Sequence, residues 1–258
     1  MRRAAAAAIA FLALASGTSA KAATAVSSNW AGYAVSGTTF STVSGSWTQP
    51  ASDCSSSTGT QAASAFWVGL GGNSETSNAL EQTGTEADCS PNGVATYSAW
   101  YELVPAASVK VPLKVAAGDR IAATVKVSGT SVTVRLRNLT TGKSFAKPLR
   151  MASPDVGSAE WIAEAPSALT PGGTRVLPLA DFGTIRFSSA SATSTSGHPG
   201  AISDSAWSTT RVDLVSDSGG PGGPGFGPFA PASGGTQAVS STLGTGGSAF
   251  SVTWSEAG

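Results

Sequence analysis

The chain has 258 residues, only 12% of them charged, and its 15 basic and 15 acidic side chains cancel to a formal net charge of zero. A nucleic-acid partner or an anionic membrane surface asks for a basic balance that is absent here. One histidine, His198, and two cysteines also exclude sites built from several His or Cys ligands.

The first twenty residues, MRRAAAAAIAFLALASGTSA, join a basic start to an apolar run and then to small residues. The run falls short of the roughly 20 apolar residues that a membrane span needs, and A-x-A-like cleavage sites end at Ala20 and Ala22. We expect a secretory signal peptide over residues 1–22 and an extracellular mature protein, residues 23–258. Without Arg2, Arg3 and Lys21 that protein has 12 basic against 15 acidic residues. No later stretch is apolar enough to cross a bilayer, so no membrane partner is expected.

Beyond the leader, an abundance of Ser, Thr, Gly and Val favours strands and turns over helices. In chain order the first strand candidates are NWAGYAVSG (29–37), STVSGSWTQ (41–49), SAFWVGLGG (64–72) and TYSAWYELV (96–104). The clearest is the hairpin in residues 119–145. There Ile121, Ala123, Val125 and Val127 alternate with polar residues, and Val132, Val134 and Leu136 do so after the turn SGTS. GTIRFSSA (183–190), STTRVDLVS (208–216) and SAFSVTW (248–254) complete the set. Short strands between turn signals point to a sandwich or barrel. Residues 216–235 hold too much Gly and Pro for a ladder and are expected to be a loop, after which the chain returns as a final strand of the same single domain. Cys54 and Cys89, the only thiols of a chain bound for an oxidising compartment, are expected to form a disulfide.

The composition removes most hydrolase designs. No H-E-x-x-H zinc motif and no G-x-S-x-G nucleophile elbow occurs, and TGKS lacks the upstream glycine of a P-loop. His198 lies in a Ser/Gly/Pro-rich stretch that reads as surface loop. Neither a metal nor a cofactor is expected. Carboxylate chemistry remains. Asp53, Asp88, Asp217 and Glu256 sit in turn-like or terminal sequence and Asp119 in a turn opening a strand, whereas Glu102 and Glu164 lie inside apolar or aromatic strands. A carboxyl there has to be paired, hydrogen-bonded or protonated. SAEWIAEAPS (158–167) puts Glu160 and Glu164 on one face whether built as helix or strand. In the strands, Ser98, Trp100 and Glu102 share a side, as do Trp67, Gly69 and Gly71, the glycines leaving room against the indole. Such a face is a poor core and a good groove for an extended peptide or sugar chain.

SSNWAGY, VSGSWTQP, FWVGLGG, LEQTGTEADC, YSAWYELVP and AEWIAEAP, in that order, resemble the glutamic peptidases, or eqolisins, from Ser27 to Phe187. The resemblance implies an all-β fold, a β-sandwich of two curved antiparallel sheets of the concanavalin-like, jelly-roll type. It also implies a monomeric, acid-acting endopeptidase with polypeptide substrates. The family's catalytic glutamine falls on Gln82 and its glutamate on Glu164, while its substrate-cleft residues fall on Trp30, Trp67 and Glu102. Glu160 receives no role. In the implied reaction, ionised Glu164 takes a proton from attacking water and returns it to the leaving amine, while Gln82 holds the water and the oxyanion.

Three departures accompany the match. Two family aspartates are replaced by Gly71 and Ser98, Glu81 precedes the glutamine, and the first motif follows the leader so closely that a member of the bacterial type, without a long propeptide, is expected. Other readings of the tryptophan-lined face are a lectin-like sandwich, a glycoside hydrolase with two carboxyls, and a pseudo-peptidase.

Overall fold

A computed structural model describes residues 22–57, 59–74, 77–170, 173–216 and 234–256. All but the last residue of the expected signal peptide, and residues 217–233 of the Gly/Pro-rich segment, lie outside the described residues. The chain begins with β1 (Ala23–Ser27), β2 (Trp30–Ser36), β3 (Phe40–Thr48), β4 (Ala62–Gly71), β5 (Leu80–Cys89) and β6 (Ala95–Val104). The short β7 (Val109–Val111) precedes the meander β8 (Arg120–Ser128), β9 (Ser131–Asn138) and β10 (Lys143–Arg150). There follow β11 (Ser158–Glu164), a separate two-stranded hairpin of β12 (Ser167–Thr170) and β13 (Gly173–Val176), then β14 (Thr184–Ser194) and β15 (Pro199–Ala201). β16 (Ser208–Val215), β17 (Thr236–Ser240) and β18 (Phe250–Trp254) end the chain. Every strand expected from alternation is present. The last segment returns as two strands instead of one.

Hydrogen bonding runs continuously in the order β10-β9-β8-β3-β14-β18-β17-β16-β2-β11-β4-β5-β6-β7. This path doubles back at the β17–β18 pair, so its two halves lie face to face as the expected sandwich. All pairs are antiparallel except β1 with β16. Period-two alternation decides which side chains enter. From one half come Tyr33, Phe66, Val68 and Trp161, and from the other Trp47, Val125, Leu136 and Phe187, all within one buried cluster. Two indole N–H groups cross the interface: Trp161 Nε1 donates to the Ser44 carbonyl at 2.7 Å and Trp47 Nε1 to Thr85 Oγ1 at 3.0 Å. A buried donor without such a partner would be destabilising by about 1–3 kcal/mol, so these bonds also fix how the sheets meet.

β5 was not among the strands read from alternation. Its inward residues, Glu81, Thr83 and Thr85, are polar, so no apolar period marks it. The hydroxyls are nevertheless paired, Thr83 Oγ1 donating to the Trp100 carbonyl at 2.7 Å and Thr85 accepting from Trp47. Gly84, on the opposite face of β5, sits where the backbone of β4 is too near for a side chain: a Cβ there would lie 2.1 Å from the Phe66 carbonyl oxygen. The expected disulfide joins Cys54 to Cys89, 35 residues apart, and ties the approach to β4 to the end of β5.

Candidate active site

The second face of the β2-β11-β4-β5-β6 sheet carries the residues that sequence singled out. Register aligns them in rows: Glu160, Gly69, Gln82 and Glu102 in one, and Trp30, Glu164, Ala65, Glu86 and Ser98 in another. Between them runs the row of Ile162, Trp67, Gly84 and Trp100. An apolar cluster of Trp30, Ala65, Trp67, Leu80, Trp100, Val104, Ile162 and Val212 forms on this face, separate from the main core.

Glu164 is partly exposed, and both oxygens of its carboxylate accept hydrogen bonds. Trp67 Nε1 donates to Oε2 at 2.6 Å and Asn29 Nδ2 to Oε1 at 3.3 Å, with the Trp30 side chain adding a further bond. Burial is the main influence on its acidity, reinforced by the negative charge of Glu102 and opposed by the Trp67, Trp30 and Asn29 donors; together they push its pKa up to about 8. Gln82 is buried, and its Nε2 donates to Glu102 Oε2 at 2.7 Å while Oε1 has no partner. Glu102 is half-buried. Burial raises its pKa, the bond from Gln82 lowers it, and Glu86 raises it again. Gln82 and Glu164 make no direct hydrogen bond and are joined through the field of Glu102.

The tryptophans are placed differently from a stacking platform. Trp30 and Trp67 are both buried and meet edge to face with ring centroids 5.0 Å apart. The space beside Trp67 that the glycines were expected to leave is already taken. A Cβ on Gly69 would lie 2.9 Å from the Trp67 ring and 3.0 Å from Leu80, and one on Gly71 would lie 2.5 Å from Asp155 Cβ. These glycines accommodate neighbouring side chains, not a ligand.

That last contact bears on the missing acids. Asp155, from the β10–β11 loop, stands where a residue-71 side chain would stand. Its carboxylate accepts from the Ser77 hydroxyl and from the Gly72 and Gly157 amides, at 3.3 and 2.8 Å for the amides. At the other departure Ser98 Oγ donates to Glu86 Oε1 at 2.9 Å, and Glu86 also pairs with Lys110 Nζ at 2.9 Å. Both places therefore keep a nearby carboxylate, supplied by another residue.

Glu160 shares the face with Glu164 but not its surroundings. It is fully buried without a close hydrogen-bond partner, and burial raises its pKa well above the ordinary value, Asp155 and Glu81 adding to the effect and the Ser158 side chain opposing it. Glu81 points to the other side of β5, is also fully buried, and accepts the Asp155 amide at 3.2 Å. Asp88, expected to be solvated, is half-buried and pairs with Lys110 at 3.3 Å. Asp119 is buried too, accepting from Asn138 Nδ2 at 2.7 Å and the Ala116 amide at 2.9 Å. Asn29 and Asp155 were not singled out as site residues. Asn29 lies within SSNWAGY, beside Trp30, whereas nothing near Asp155 in sequence marks its place in space. Among the described residues no group of three His, Cys, Asp or Glu side chains is disposed to hold a metal ion.

One step beyond the Leu80–Val104 pair, an open cavity of about 710 Å³ is lined by Ser77, Asn78, Pro105, Met151, Ser153 and Asp155, among others.

The family model for the peptidase A4 family matches residues 28–219, a span containing every residue of this site. The chain belongs to the peptidase A4 family. Aspergillopepsin-2 of Aspergillus niger is 31% identical over 189 residues, 65% of this chain and 65% of that protein. Scytalidopepsin B of Scytalidium lignicola is 38% identical over 124 residues, 47% of this chain and 44% of that one. The chain thus matches less than two thirds of the length of either A4 relative. A crystal structure of scytalido-glutamic peptidase with a transition state analog inhibitor superposes with a TM-score of 0.69 at 27% identity, covering 88% of this chain and 98% of that one. The peptidase A4 assignment agrees with the eqolisin resemblance, and the superposition with the expected sandwich.

Proposed function

We propose that this chain is a secreted endopeptidase acting on polypeptides in acid, with Glu164 and Gln82 as its catalytic pair and residues 23–258 working as one monomeric domain. The observation that carries this reading is the sheet register, which puts a half-buried Glu164, held by indole and amide donors, on the same face as Gln82 and Glu102. Glu102 holds one N–H of the Gln82 amide, which leaves the second N–H to donate to the substrate carbonyl oxygen as it becomes a diol hydroxyl. The cavity beside Asp155 and Met151 is wide enough to accept a substrate side chain. Trp30 and Trp67 act through Glu164, by fixing the orientation of its carboxyl.

The raised pKa favours a cycle that starts from protonated Glu164. A Glu164 that had to be ionised would be scarce in acid: with a pKa of about 8, only about one molecule in 10⁴ would be ionised at pH 4. A protonated Glu164 removes the difficulty. It gives its proton to the substrate carbonyl oxygen while its other oxygen takes one from the attacking water, forming a neutral geminal diol and regenerating the acid. Collapse reverses the roles: Glu164 protonates the departing amine and takes a proton from a diol hydroxyl, leaving a carboxylic acid and an amine. Every atom of the water is accounted for, and no covalent intermediate forms.

A pH profile of kcat/KM from 3 to 9 on a denatured protein substrate tests both steps. The protonated cycle gives a plateau in acid and a fall above the apparent pKa. The ionised-base cycle gives a tenfold fall for each unit below it. Undiminished hydrolysis by folded Glu164→Gln would refute the catalytic assignment altogether.

A further inference from the structure

Charge is divided between the two halves of the sandwich. The neighbouring strands β10, β9, β8, β3, β14 and β18 contain no aspartate or glutamate, whereas β5, β6, β11 and β16 of the other half all do. No acidic residue occurs anywhere from Arg120 to Pro154. The zero net charge of the whole chain conceals this separation.

Strand alternation gathers six of the eight cations of these strands on one side; Lys143 and Lys147, paired with Asn138 and Val134, lie on the other. Ile121, Val125, Val134, Leu136, Ile185 and Phe187 enter the core, so Arg120, Lys126, Arg135, Arg137 and Arg186 project from the opposite, outer face. Arg150, paired with Ser131, joins them. All six are exposed, and none has an ion pair among the described residues. Arg150 alone has a side-chain partner, Thr130 Oγ1 at 3.2 Å. Five adjacent strands at the usual spacing make this face about 19 Å wide. With a Debye length of about 8 Å at physiological salt, the six charges act together and not singly.

Between the cations lie hydroxyls. Ser44 and Thr124 are register neighbours, as are Thr124 and Arg135, and Lys126 lies opposite both Thr42 and Thr133. The face carries no aromatic ring on which a base could stack and no apolar side chain that could enter a bilayer. A flat lattice of cations and hydroxyls fits a polymer that offers repeated anions together with hydroxyls. We propose that the outer face of β14-β3-β8-β9-β10 is a docking surface for an anionic polysaccharide. It points away from the acidic cleft, so bound polymer leaves the peptidase site open.

The test uses the full chain, with polygalacturonate, dextran sulfate, neutral dextran, duplex DNA and anionic vesicles as probes. Binding to one or both anionic polysaccharides, weakening steadily with added salt, is expected, with none to dextran. The triple change Lys126→Gln, Arg135→Gln and Arg137→Gln should weaken it about tenfold or more, with kcat/KM for peptide hydrolysis unaltered. Should the triple variant fold poorly, Arg135→Gln with Arg137→Gln should retain a smaller loss. Lowering the pH to 3 separates the two chemistries, because the uronate polymer is neutralised and the sulfate polymer is not. Binding to neither polymer, equal binding to dextran, tighter binding to DNA or vesicles, or full binding by the folded variants would overturn the proposal.

Discussion

Replacing Glu81 with glutamine should remove a large part of the pH dependence of folding. Glu81 has no solvent exposure, and its pKa is pushed up from 4.5 to about 8, first by burial and then by Asp155, against the bond from the Asp155 amide. Between those two values the folded chain keeps a proton that the unfolded chain releases. The folded state therefore binds more protons, and stability must fall as pH rises through this window. The slope is about 1.4 kcal/mol per pH unit, which accumulates to roughly 5 kcal/mol by pH 8 and then levels off. Below pH 4.5 both states hold the proton and the effect vanishes.

Glutamine keeps the shape of the protonated acid and an oxygen for the Asp155 amide, and it cannot ionise. Wild type and Glu81→Gln should accordingly be about equally stable near pH 4.5, and the variant more stable by about 4 kcal/mol at pH 7.5. Urea unfolding at pH 4.5, 6.0 and 7.5 measures this directly from the midpoints. Glu160 and Glu164 contribute to the same slope in wild type, so the variant should flatten it by about one proton without abolishing it. Parallel stability curves for the two proteins would show that Glu81 does not stay protonated in the folded state, and the reasoning would fail.

Gly84→Ala should destabilise by about 3 kcal/mol in urea unfolding, because the new Cβ meets the Phe66 carbonyl and Trp67 Cβ at 2.1 and 2.6 Å. Replacing both Cys54 and Cys89 by serine should remove about 4 kcal/mol, the loop-closure value for a separation of 35 residues; a loss below about 1 kcal/mol would show that this loop is already ordered in the unfolded chain. Glu164→Gln should reduce kcat for peptide hydrolysis to near background, whereas Glu160→Gln, at a buried carboxyl whose pKa is raised well above the ordinary value and which carries no assigned role, should leave kcat within about threefold and flatten the stability–pH curve. An equal loss of kcat from both would move the catalytic assignment to Glu160.

Much of the sandwich was legible because apolar alternation is a local property: Ile121 to Val127 and Val132 to Leu136 announce their inward faces without reference to the rest of the chain. β5 was not, because its inward Thr83 and Thr85 depend on partners in β6 and β3 that local pattern does not disclose. The site divides in the same way. Gln82, Glu164 and Trp67 belong to the motifs that carry the eqolisin resemblance, and the sheet brings them to one face. The burial of Glu160 was hidden, since its spacing from Glu164 says only that the two share a face. The contact of Asp155 with Gly71 spans 84 positions and could be seen only after folding.

At the two positions where the eqolisin resemblance leads one to expect aspartates, the register supplies a carboxylate from elsewhere. Ser98 lies directly opposite Glu86 in the β5–β6 ladder, so the acid is displaced by one strand and the hydroxyl holds it there. Lys110 then pairs with Glu86, which limits the negative charge at that edge. Glu86 in turn raises the pKa of Glu102, and Glu102 both orients the Gln82 amide and raises the pKa of Glu164. A change at position 98 is thereby felt at both proposed catalytic groups without touching either. At position 71 the geometry is stricter: with Asp155 occupying the Cβ space and φ at +84°, an aspartate there would force the β10–β11 loop, which lines the cavity, away from Gly71. The chain keeps an acid at each place by a different tether, and at position 71 that tether also joins the loop before Gln82 to the loop before Glu160 and Glu164.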